Sequence, residues 1–150
     1  KTAYEISLGL VGSEMCIRDR GISNRVLKGD LNEAQSPDTI NHLVNMCVKV
    51  HSNLELVMQD YANKECKNSV DVWHSDTEID SLYSSILMEI LNSIKANPEA
   101  IEALVPLLFI ARYLERVGDQ ATNVAEETYF VATGEDLEGE ETVVETETTF

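Results

Sequence analysis

The chain has 150 residues, enough for one domain with a single core. Its composition is 43% hydrophobic and 25% charged, with only seven Gly and three Pro, which disfavours a many-turned β fold and leaves room for long helices. A formal net charge of -16 repels phosphate backbones and anionic lipid, so it argues against nucleic-acid and membrane-surface binding and favours cations or basic protein surfaces.

Residues 1–20 read KTAYEISLGLVGSEMCIRDR. This stretch resembles the in-frame translation of a short-read sequencing-library adapter. A flow-cell end (AAG-ACG-GCA-TAC-GAG-AT) accounts for its first residues, and a transposase end (CTC-GTG-GGC-TCG-GAG-ATG-TGT-ATA-AGA-GAC) accounts for the rest after an index-length gap. A signal peptide would need a longer apolar run and a small-residue cleavage site. Residues 1–20 are therefore expected to be non-native, with Met15 and Cys16 irrelevant to function and native sequence starting near Gly21.

Residues 21–36 are expected to hold the end of a helix, closed by Gly29, and a polar linker. Ser36-Pro37-Asp38 is a helix start: an N-cap, a proline at the first helical position and an acid in the first turn. The first long helix runs over about 37–64, with a heptad seam at Leu43, Cys47, Val50, Leu54, Val57 and Tyr61. A second helix spans about 70–96, with its seam at Val72, Asp76, Ile79, Tyr83, Ile86 and Ile90. Asn97-Pro98-Glu99 is a tight connection. A third helix spans 98–133 and stops at Gly134, with its seam at Ile101, Leu104, Leu108, Ala111, Glu115, Gly118, Thr122 and Ala125. The resulting fold is all-α, an antiparallel three-helix bundle over 37–134, followed by a disordered acidic tail at 135–150.

Two acids, Asp76 and Glu115, occupy seam positions that a plain bundle fills with leucine. Each has a second acid one turn on, Asp80 and Asp119, on the same helix face. A chain reversal at Asn97-Pro98 sets Asp80 opposite Glu115 and Asp76 opposite Asp119. Clustered, buried carboxylates repel one another and are costly to desolvate, and a polyvalent cation removes that penalty. All-oxygen donors suit hard metals such as Mg²⁺, Mn²⁺ or Fe better than Zn²⁺. Asn123, one turn past Asp119, can add an amide oxygen or support a ligand. The competing reading puts these acids at the seam edge, against solvent or Arg112 and Arg116.

Other residues read as structural. His42, His51 and His74 are too scattered for a metal triad. Cys47 reads as core, Cys66 as a loop residue, Trp73 as a packing anchor, and Gly118 as a point of close helix approach. The three cysteines form no CxxC pair and imply no disulfide framework, which fits a reducing cytoplasm. Residues 101–110 are apolar but too short to span a bilayer.

Residues 111–135, ARYLERVGDQATNVAEETYFVATGE, resemble the signature segment of the PhoU family, and HSDTEIDSLY resembles that family's acidic motif on the preceding helix. The resemblance implies that Asp76, Asp80, Glu115 and Asp119 are metal ligands, with Asn123 a weaker candidate, for iron, manganese or zinc. Arg112 and Arg116 would belong to the same face. Gln120 stands where the family usually has His. It further implies a cytoplasmic, non-enzymatic and dimeric regulator that damps phosphate uptake and the phosphate-starvation response. Its implied partners are a phosphate transporter's ATPase and a phosphate-sensing histidine kinase. It also implies that an upstream first bundle belongs to the parent protein. Two alternatives are the cytoplasmic tail of a sodium–phosphate cotransporter and a di-metal carboxylate enzyme. The latter is disfavoured because no Glu-x-x-His pair occurs.

Overall fold

The computed structural model describes residues 12–13, 16–24 and 37–137. Most of the adapter-like segment, residues 25–36 with the expected Gly29 helix end and polar linker, and most of the acidic tail lie outside the described residues. Residues 16–24 form helix α1 as described. The bundle comprises α2 (Pro37–Asn63), α3 (Ser69–His74), α4 (Asp76–Ala96), a 3₁₀ turn (Pro98–Ala100) and α5 (Ile101–Thr133). The fold is all-α, as the sequence implies.

Local chemistry sets the ends of these elements. The Asn97 side chain accepts from the Glu99 N–H at 3.3 Å, and Pro98 opens the 3₁₀ turn. Gly134 takes a φ of 79° and donates its N–H to the Phe130 carbonyl at 2.8 Å, which ends α5. Between α2 and α3, Lys64 adopts a left-handed φ of 56° and the Glu65 N–H donates to the Asp60 carbonyl at 3.0 Å. Asp60 is buried and clamps the start of α3. It accepts from the Asn68 N–H at 2.7 Å, from Asn68 Nδ2 at 2.7 Å and from Ser69 Oγ at 3.1 Å.

The second predicted helix is two helices, broken at Ser75. The seam of α2 also differs from expectation. The buried residues are Thr39, Leu43, Met46, Val50, Asn53, Val57 and Asp60. Their spacing alternates four and three, as a packed seam requires, but three members are polar. Cys47, expected in the core, is exposed, and Met46 takes its place. Ile101 is 47% exposed and not part of the seam of α5. Leu137, the third residue of the segment expected to be a disordered acidic tail, is buried.

The interior divides into two apolar clusters. The larger joins Met46, Val50, Ile79, Ile86, Ile90 and Leu107 with their neighbours. The smaller joins Val57, Val72, Ala121, Val124 and Ala125. Hydrogen-bonding side chains separate them: Asn53 on α2, Ser75 at the helix break, Asp76 on α4 and Thr122 on α5. Gly118 lies beside this layer. A Cβ there would come within 3.1 Å of Ile79 Cδ1 and 3.2 Å of Ile79 Cγ2, so glycine permits the close approach of α4 and α5.

Candidate metal centre

The turn between α4 and α5 fixes which acids meet. The 3₁₀ turn lies within the connection, so the reversal falls slightly beyond the Asn97-Pro98 bond. Ile79 consequently packs on Gly118, and Thr122 Oγ1 donates to Asp76 Oδ1 at 3.1 Å. Asp80 is thereby brought between Glu115 and Asp119. One carboxylate oxygen from each of these three lies within 4.8 Å of the others. Asp76 stands just outside the trio, close enough to Asp119 to act on its charge. Asn123 is exposed.

Burial and electrostatics distinguish the members. Asp80 is exposed, Asp119 is half-buried and Glu115 is buried at 8% exposure. Burial, then the neighbouring Asp119 charge, pushes the Glu115 carboxyl above its ordinary range despite Arg112. Burial, then Asp76 and Asp80, does the same to Asp119. Arg112 pairs with Glu115 Oε1 and lies 5.6 Å from the centroid of the Tyr83 ring. Glu115 Oε2 is buried with no hydrogen-bond partner. A buried, unpartnered carboxylate oxygen is costly. The Glu115 carboxylate adjoins two further carboxylates, and the donor set is all oxygen. These residues fit a hard cation, whose bonds to such oxygens run about 2.0–2.6 Å, after modest side-chain closure.

The histidines stay apart from this group. His42 Nδ1 lies 2.8 Å from Glu89 Oε1. His51 is exposed. His74 sits edge-on to Trp73, with ring centroids 5.1 Å apart. Trp73 does more than pack, since its Nε1–H donates to Glu126 Oε1 at 3.0 Å.

A PhoU domain profile matches residues 43–128. The chain belongs to the PhoU family. It is 36% identical over 108 residues to the "Phosphate-specific transport system accessory protein PhoU homolog" of Caulobacter vibrioides, covering 71% of this chain and 47% of that protein. The protein of the same name from Clostridium acetobutylicum is 32% identical over 108 residues, covering 72% of this chain and 49% of its own length. The chain thus spans about half the length of the curated relatives it matches. The crystal structure of PhoU from Pseudomonas aeruginosa superposes with a TM-score of 0.74 at 22% identity, over 90% of this chain and 68% of that one, which shows the shared fold. All five candidate ligands lie inside the matched PhoU segment.

The apolar pattern of the sequence does not single out Asn53, Ser75 or Asp60. A signal for two of them was present: Asn53 and Asp60 recur at the seam interval counted from Leu43. An apolar-only search passes over them for Cys47, Leu54 and Tyr61. Among the described residues, no helix is long and apolar enough to cross a membrane.

Proposed function

We propose that this chain is the metal-binding bundle of a phosphate-transport accessory protein, acting by binding and not by catalysis. The observation that carries the metal reading is the convergence of the Asp80, Glu115 and Asp119 carboxylates, with Glu115 Oε2 buried and unpartnered. Asp76 and Asn123 complete the proposed ligand set from the same two helices. The cation is a hard one, Mn²⁺, Fe or Mg²⁺, with Zn²⁺ less favoured by oxygen donors. Bound there, it would neutralise the cluster and tie α4 to α5. The phosphate-transport role is supported by the names of the relatives. On this reading the cytoplasmic partners are a phosphate transporter's ATPase and a phosphate-sensing histidine kinase, and the regulator is a homodimer.

One experiment with two arms tests this. The full chain and its Glu115→Gln/Asp119→Asn variant are dialysed against Mn²⁺, Fe²⁺, Zn²⁺ or Mg²⁺. Metal content is then read by mass spectrometry and helicity by circular dichroism. Stoichiometric metal in the parent and its loss from the folded variant are expected. Metal-free protein in every case would reduce the acids to a solvated face. The same two proteins are presented to a phosphate transporter's ATPase subunit, and no binding by the metal-loaded parent would refute the adaptor role.

A further inference from the structure

The polar layer between the two apolar clusters touches the carboxylate site at one residue, Asp76. Thr122 Oγ1 lies 3.1 Å from Asp76 Oδ1 and 3.3 Å from the Gly118 carbonyl. A hydroxyl has one proton to give, and the ionised carboxylate is the stronger acceptor. On the other side, Asn53 Nδ2 donates to Ser75 Oγ, and Ser75 Oγ donates to the Val72 carbonyl at 2.8 Å. Helices α2 and α5 therefore grip the α3–α4 junction at adjacent residues, Ser75 and Asp76. Asn53 is only 8% exposed and sits in the seam of α2. A seam asparagine costs stability relative to leucine, so packing alone does not account for it.

Resting on the metal reading above, we propose that Thr122 and Asn53 are positioning residues for the cation. Thr122 binds one oxygen of Asp76 and turns the other toward Asp119. Asn53 fixes the helix break so that Asp76 opens α4 at that height. Asp76 then joins Asp80, Glu115 and Asp119 as a preorganised fourth ligand. Supporting hydrogen bonds of this kind orient ligands and tune metal affinity.

The test uses the full chain and Mn²⁺ titration by calorimetry, with the melting temperature of the metal-free protein as the second readout. Thr122→Val keeps the shape and removes the donor. Its Mn²⁺ affinity is expected to fall about 10- to 100-fold with little change in metal-free melting, and Thr122→Ser is expected to restore affinity. Asn53→Leu is expected to weaken Mn²⁺ binding while leaving the metal-free melt unchanged or raised, a split that a merely structural role cannot produce. If Thr122→Val and Asn53→Leu bind Mn²⁺ like the parent while Asp119→Asn does not, the positioning role is wrong and the metal site stands. Parallel loss of affinity and melting temperature in Thr122→Val, unrescued by serine, also overturns it. A parent that binds no Mn²⁺ overturns both.

Discussion

Asp60 and Glu115 are both buried acids, at 2% and 8% exposure, but their surroundings differ. Both Asp60 oxygens are met by donors from Asn68 and Ser69, so its burial is explained by the loop it closes. Asp60→Ala strands a backbone N–H and a buried hydroxyl, and should cost about 1–3 kcal/mol in urea unfolding with Mn²⁺ affinity intact. A loss of metal binding in that variant would show that the two sites are coupled. Glu115 has one oxygen held by Arg112 and one with no partner. Burial raises both it and Asp119 above the ordinary carboxylate range. The folded state therefore holds protons that the unfolded chain has released. For these two groups, stability of metal-free protein is greatest below the ordinary range and is lost as pH rises through the raised values. The melting temperature of chelator-treated protein should fall with pH across that window, and less steeply in Asp119→Asn. An equal slope in the variant would mean that Asp119 is not one of the groups responsible.

Helix α2 shows how much of an element its sequence discloses. Its boundaries follow from Pro37 and from the polar run after Asn63, and Leu43, Val50 and Val57 were identifiable as core because they are apolar at heptad spacing. Met46 in place of Cys47 was not, because a one-residue rotation of the stripe preserves nearly the same apolar count when Asn53 and Asp60 are discounted. Hydrophobicity alone hides a seam whose polar members Thr39, Asn53 and Asp60 are satisfied by Glu89, Ser75, Asn68 and Ser69. The break at Ser75 was hidden for a related reason: Ser75 keeps a helical φ of -73°, and no proline or glycine marks it. The pairing of α4 with α5 was legible from the Asn97-Pro98 turn, but its register was not, because the 3₁₀ turn moves the point of reversal. That shift decides which three acids converge and leaves Asp76 to Thr122. Gly118 was readable as a close approach, and Ile79 supplies the contact. Gly118→Val forces Ile79 aside at the height of the site. It should destabilise the bundle by about 1–3 kcal/mol in chemical unfolding, and it should weaken Mn²⁺ binding as α4 and α5 separate. Unchanged stability would show that the helices have room to spare there.

At the scale of the molecule, two electrostatic problems are superimposed, and they respond to different ions. The net charge of -16 is a diffuse self-repulsion that any salt screens. The cluster around Glu115 is local and partly buried, so monovalent salt reaches it poorly. Ile17 and buried Arg18 border a groove with Phe109, Arg112, Tyr113 and Arg116 on α5. Helix α1 packs on α5 whatever its origin, and genomic sequence across residue 20 decides whether residues 1–20 are native. A specific cation should stabilise the folded chain by mass action, by about 2.7 kcal/mol at a free concentration a hundred times its dissociation constant. Screening by NaCl should instead give a gradual rise in melting temperature without saturation. The Glu115→Gln/Asp119→Asn variant separates the two. It should keep the NaCl response, because its net charge remains strongly negative, and lose the saturable Mn²⁺ response. If Mn²⁺ raises the melting temperature of parent and variant equally, the ion acts on the whole anionic surface, and the convergence of Asp80, Glu115 and Asp119 is not a binding site.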